Sequence, residues 1–138
     1  MKLEELILID TCMWVPFFNR PQSRTKQTID RLLDDDQGVI IGPILAEILL
    51  GFRRQAHADW ASSLLRGVHY LEVTWEDWRQ AAAVGRTLIA HGNDLPLSDL
   101  AIAAVARRCD CSVYSTDPHF DLIPDLKRFR PTDGGRNP

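Results

Sequence analysis

The 138-residue sequence has no apolar run close to the roughly 18 residues that a membrane-spanning helix needs. A helical membrane protein is therefore not expected. Cysteine is scarce: Cys12 stands alone, and Cys109 and Cys111 form a C-x-C with no second pair to complete a zinc site. An odd count of three does not suit a disulfide framework, so reduced core thiols in a cytoplasmic protein are expected. The four histidines, His57, His69, His91 and His119, show no ligand spacing. A surplus of positive charge is also missing. Sixteen Lys and Arg face nineteen Asp and Glu, a net charge of −3, which argues against a broadly basic nucleic-acid surface. There is no internal repeat or low-complexity segment. The first five residues carry two glutamates and one lysine, which is not the pattern of a signal peptide.

What is present suits one folded domain, with 45% apolar and 25% charged residues. Residues 6–9 (Leu-Ile-Leu-Ile) form a short continuous apolar run, the mark of a buried parallel strand. Residues 22–35 carry Ile29, Leu32 and Leu33 on one helical face, with Ser23 as cap and Gly38 as breaker. Further strands are expected at 39–41, 70–73 and 111–114, with an edge strand at 127–129. Helices are expected at 43–50, closed by Gly51, and at 58–65. A third follows a capping-box pattern at 74–77 and runs to about residue 90, closed by Gly92. A fourth spans 99–108, capped by Ser98. This last helix, with Leu100, Ala101, Ile102, Ala103, Ala104, Val105 and Ala106, is apolar nearly all round and should lie inside the molecule. Strands alternating with helices predict an α/β fold with a mostly parallel sheet of four to five strands and helices on both faces. The domain is expected over residues 1–130, with a disordered tail at 131–138.

Four acids are placed unlike surface charge. Asp10 directly follows the first strand and Asp117 follows the last, and both carboxyl strand ends are where ligands gather in such sheets. Taken singly, each also reads as a turn aspartate bonding its own backbone. Glu47 sits among Ile44, Leu45, Ala46, Ile48, Leu49 and Leu50, which leaves almost no polar stripe. A buried carboxylate there would need a partner or a metal. Asp99 opens the small apolar helix, where the helix dipole alone would also explain it. Brought together, the four would repel strongly, since two unit charges about 5 Å apart cost roughly 3 kcal/mol at an effective dielectric near 20. A cluster of four calls for cations, and an all-oxygen ligand set suits Mg²⁺ or Mn²⁺ rather than zinc. Phosphodiester hydrolysis is the reaction that such a site serves.

Four ordered segments carry a resemblance: Ile9-Asp10-Thr11; Glu47-Ile48-Leu49-Leu50-Gly51; Leu97-Ser98-Asp99-Leu100-Ala101; and Ser115-Thr116-Asp117-Pro118-His119-Phe120. Together they resemble the PIN-domain family, in particular the VapC-type toxins of prokaryotic toxin–antitoxin pairs. The resemblance implies a three-layer α/β/α fold and Mg²⁺- or Mn²⁺-dependent endoribonuclease activity. It implies Asp10, Glu47, Asp99 and Asp117 as the catalytic, metal-holding acids, with Thr11 and Ser115 orienting them. It also implies a homodimer and a small antitoxin partner. Cys12 departs from the Ser or Asn common at that position. His119 stands where some members carry another acid, and Asp121 reads as a turn residue. The alternative is a PIN-like module that binds RNA or protein without cutting.

Other residues read as structural. Trp60, Trp75 and Trp78 are expected in the core or in a dimer contact. Phe17 and Phe18 suit either an exposed apolar patch or the core. His119 reads as a loop histidine near the site. The basic clusters (Arg20, Arg24 and Lys26; Arg53 and Arg54; Arg107 and Arg108; Lys127, Arg128 and Arg130) read mostly as solvated faces, any of which could touch a phosphate backbone.

Overall fold

The computed structural model describes residues 5–132. Residues 1–4 of the expected domain, and the expected tail from residue 133 onward, lie outside the described residues. Four parallel strands form the sheet: β1 (Ile7–Ile9), β2 (Gly38–Ile41), β3 (His69–Leu71) and β4 (Ser112–Tyr114), in the order β3-β2-β1-β4. Beyond β4, residues 127–129 add one parallel bridge, Val113 to Arg128, rather than a full strand. Helices α1 (Thr11–Asn19) and α2 (Arg24–Asp34) join β1 to β2. Helices α3 (Gly42–Leu50) and α4 (Gln55–Leu65) join β2 to β3, and α5 (Trp75–Ala90) and α6 (Leu97–Cys109) join β3 to β4. The chain steps from β1 outward to β3 and then returns past β1 to β4. Right-handed crossovers therefore lay the first two connections on one face and the third on the other.

The return creates a switch point between β1 and β4, the place where open parallel sheets leave a crevice at their carboxyl ends. The Asp10 amide bonds the Tyr114 carbonyl at 3.0 Å across it. The three residues of β1 are fully buried, as are Val39, Ile41 and Val113.

Helix α1 was not anticipated, because Pro16 interrupts its interior. Tertiary packing outweighs that cost. Met13, Trp14 and Phe17 share one buried face, and Trp14 Nε1 donates to the Ile9 carbonyl at 3.1 Å. Phe17 and Phe18 thus pack with Trp14 and form no bare patch, Phe18 also meeting Phe52 and Trp60. Helix α6 begins two residues earlier than expected. Pro96 occupies the cap position, and no side chain, Ser98 included, caps it. The Thr74–Asp77 capping box forms with both of its bonds. Unlike Trp14, the other three tryptophans are not core residues: Trp75, Trp60 and Trp78 are 82%, 58% and 39% exposed. Cys111 is buried and Cys109 half-buried, but Cys12 is exposed, against the expectation of core thiols throughout.

Candidate active site

The two acids at the strand ends, Asp10 and Asp117, are held by the local turns that the sequence had offered as their rival explanation. Asp10 is the cap of α1, its Oδ1 accepting from the Thr11 amide at 2.8 Å. Its Oδ2 accepts from Ser115 Oγ at 2.8 Å, a bond between the ends of β1 and β4. The same Ser115 Oγ accepts from the Asp117 amide at 3.0 Å. Asp117 in turn caps the short 3-10 turn Pro118–Leu122, accepting from the His119 amide at 2.9 Å. A turn role and a site role are therefore compatible: at Asp10 the cap takes Oδ1 and leaves Oδ2 to Ser115, and at Asp117 the capping Oδ1 also faces the His119 ring.

Asp99 lies in the first turn of α6, 6% exposed. His119 Nδ1 is 2.8 Å from Asp99 Oδ2 and 3.2 Å from Asp117 Oδ1, so the imidazole bridges two carboxylates. One ligand atom from each of Asp99, Asp117 and His119 lies within 4.8 Å of the others. Burial pushes the Asp99 carboxyl above its usual range. The bond from His119 opposes this, and the charges of Asp10 and Asp117 add to it. His119 is held above the ordinary histidine value, first by its bond to Asp99.

Glu47 departs from its expected setting. The apolar residues around it do not bury it, because α3 turns that face outward and Leu50 beside it is 83% exposed. Glu47 stands at the rim of the site, its Oε1 accepting from Thr11 Oγ1 at 2.6 Å, and falls outside the close three-ligand group, as does Asp10. Thr11 thus joins the chain neighbour of Asp10 to Glu47, while Ser115 joins Asp10 to the Asp117 turn.

Three contributors went unrecognised in the sequence. His119 bridges the acids rather than lying idle in a loop. Cys12 places Sγ 3.4 Å from Asp10 Oδ2 and 3.3 Å from Ser115 Oγ. Burial raises its pKa, with the Asp10 charge adding and bonds to Ser115 and Thr116 opposing. Arg128 sits in a basic run that read as solvated, yet its side chain is 12% exposed. It donates to the Ser115 carbonyl at 2.8 Å and to Asp121 Oδ1 at 2.6 Å, and so clamps the loop that carries Ser115. Asp121 is thereby spent on an ion pair, in keeping with its reading as a turn residue. Only the order of motifs could have pointed to His119, and nothing in the sequence distinguishes Arg128 from its basic neighbours.

The fold and these residues define a parallel α/β domain with a cluster of acidic side chains at its switch point. The chain belongs to the PIN domain family, whose model matches residues 7–126. It is similar to the VapC ribonuclease Mb1587 of Mycobacterium bovis and to ribonuclease VapC11 of Mycobacterium tuberculosis. Each is 32% identical over 129 residues, which cover 91% of this chain and 96% of the relative. Among solved structures, VapBC2 from Rickettsia felis, bound to a DNA fragment from its promoter, superimposes with a TM-score of 0.77 at 16% identity. The match covers 90% of this chain and 97% of that one. VapC20 of Mycobacterium tuberculosis, a sarcin–ricin loop cleaving toxin, gives a TM-score of 0.65 at 22% identity over 91% and 99% of the two chains. The likeness to these solved structures is one of fold. Among the described residues, no helix is long and apolar enough to cross a membrane.

Proposed function

We propose that this chain is a divalent-cation-dependent endoribonuclease, the toxin of a toxin–antitoxin pair. The observation that carries the reading is the convergence of Asp10, Asp99 and Asp117 at the switch point, with an imidazole bridging two of them. Uncompensated, such a cluster costs folding energy, and a cation turns that cost into binding. The donor set fits a small hard cation. The His119 imidazole lies between two of the carboxylates and would join them in holding a cation or give way to one. Asp10, Asp99 and Asp117 would hold Mg²⁺ or Mn²⁺, with Glu47 reaching in from the rim. A cation held there supplies Lewis acidity toward a phosphoryl oxygen and lowers the pKa of a water, the chemistry of phosphodiester hydrolysis.

The chain's own residues do the positioning. Ser115 and the Thr11 amide fix both oxygens of Asp10. Asp117 is aimed by the His119 amide and by Ser115, and Arg128 holds the Ser115 carbonyl. Thr11 orients Glu47. The curated relatives are named as ribonucleases, and several solved neighbours are VapBC toxin–antitoxin complexes. Both support extending RNA cleavage and an antitoxin partner to this chain; a homodimer and a cytoplasmic setting belong to the same reading.

The test is cleavage of a mixed single-stranded RNA by the purified chain. Cutting is expected with Mg²⁺ or Mn²⁺ and not in chelator. Asp99→Asn is expected to abolish it while the circular dichroism spectrum stays unchanged. Cutting by that variant at the wild-type rate would sink the assignment.

A further inference from the structure

A second cleft adjoins the acidic centre and has the opposite character. It measures about 450 Å³ and lies between α2 and the segment after residue 128. Helical spacing gathers one wall: Arg24, Thr28 and Arg31 follow one another on α2 at i, i+4 and i+7 and so share one face. The opposite wall brings Arg130, and Phe129 packs edge-on against Tyr114 at 5.2 Å to give an aromatic floor. Two basic clusters far apart in sequence thus meet across one opening. No carboxylate lines it among the described residues, and neither Arg31 nor Arg130 forms an ion pair with a described acid. Ser115 and Thr116 also line it, and the hydroxyl of Ser115 bonds Asp10. The cleft therefore shares Ser115 with the acidic centre and lies beside it.

The geometry points to this cleft as the track for the phosphate backbone of a single-stranded RNA, held on one side of the bond to be cut. The assignment rests on the ribonuclease reading for its substrate, though not for its chemistry. A chain of net charge −3 with an acidic centre repels a polyanion, and a local concentration of guanidinium groups beside that centre offsets the repulsion whether or not a cation is bound. Guanidinium forks and threonine hydroxyls are donors suited to phosphate oxygens, and the aromatic floor suits a sugar or a base. Arg31 and Arg130 are thus binding residues that set KM, placed outside the acidic centre.

The experiment measures binding of a fluorescent single-stranded RNA of roughly 12 nucleotides in chelator, so that none is cut. Wild-type chain is compared with the Arg31→Gln, Arg130→Gln double variant across a salt series. The expected loss is about tenfold in affinity, and the slope of log Kd against log salt falls by about 1.4, or ~0.7 per lost phosphate contact. Under cutting conditions KM rises and kcat stays within about twofold. Both arginines are exposed, so the fold should hold, and the Arg31→Lys, Arg130→Lys variant should keep most of the salt slope. A remote pair with the same charge change, Arg79→Gln with Arg86→Gln on α5, should behave as wild type. If the Arg31 and Arg130 variant matches that remote control in Kd and slope, the track is overturned even though cleavage persists. RNA bound through these arginines but never cut would support the track and remove the ribonuclease reading instead. Inorganic phosphate displacing the RNA as completely as unlabelled RNA does would reduce the cleft to a single-anion site and overturn a strand track.

Discussion

Neutralising Asp99 separates the charge it carries from the fold it belongs to. Burial and the charges of Asp10 and Asp117 hold its carboxyl above the ordinary range, against the bond from His119. A group whose pKa folding raises stabilises the fold below its unfolded value, near 3.9, and that contribution is lost as pH rises through the folded value. At a pH above the folded values of both groups it has gone, and His119, itself raised first by its bond to Asp99, has least charge left with which to compensate. One like charge about 5 Å away costs roughly 3 kcal/mol at an effective dielectric near 20, and solvent and salt reduce the net to about 1 kcal/mol. Asp99→Asn keeps the shape and removes the charge. In chelator at that pH the variant should melt about 3–5 °C above wild type, the shift that ~1 kcal/mol produces in a domain of this size. Mg²⁺ at about 100 times its Kd should stabilise the wild type by roughly 2.7 kcal/mol and the variant by far less. Calorimetric melts of both chains, with and without Mg²⁺, measure this. A variant that melts below wild type in chelator, or an equal Mg²⁺ shift in both chains, would refute a cation-demanding cluster.

Far from the site, Asp77 is buried and accepts from Arg108 Nε at 2.8 Å, Arg108 Nη2 at 2.9 Å and the Thr74 amide at 2.9 Å. Asp77→Asn should cost about 2–3 kcal/mol in urea unfolding, discounted because Arg108 is 43% exposed, with cleavage per folded molecule unchanged. Burial raises the Asp77 carboxyl, but the bonds from Arg108 and Thr74 outweigh it and lower the pKa. Its contribution is therefore present above the unfolded value and lost as pH falls through the folded one. Wild type and variant should converge in stability only in acid, and a constant difference down to the lowest pH would contradict the pairing. Glu47→Gln should leave stability within about 0.5 kcal/mol, since the residue is exposed, and should lower cleavage at limiting Mg²⁺ by about tenfold. Wild-type rates at limiting Mg²⁺ would remove Glu47 from the site. Cys12 should react slowly with iodoacetamide at neutral pH, its rate still climbing beyond about pH 9, because its thiol, though the residue is exposed, is desolvated where it packs against Asp10 and Ser115 and stays protonated. A rate that levels off below about pH 8 would contradict this.

Much of the framework was legible because its causes are local. Short apolar runs, a capping box and an all-apolar helix each act over a few residues, and all four strands were found within two residues of their ends. Helix α1 was hidden because its stability comes from Trp14 and Phe17 packing on the sheet, which no local rule about Pro16 can foresee. Glu47 was misjudged for a related reason. Apolar neighbours imply burial only if something covers them, and α3 leaves Leu50 and Glu47 outside.

The sequence by itself determined the strand and helix order, and with it the two carboxyl strand ends where Asp10 and Asp117 stand. It also carried the ordered motifs of the PIN domain family. Only the tertiary structure decided which groups meet there. The switch point brings β4 beside β1 across more than a hundred residues, and only then can Ser115 bond Asp10 and Arg128 hold Ser115. The bridging of Asp99 and Asp117 by His119 belongs to the same level, as does the meeting of Arg31 with Arg130 across one cleft. The physical reason is range. Backbone preferences and periodicity act between near neighbours in the chain, whereas charge, burial and hydrogen-bond partners depend on what the fold places nearby.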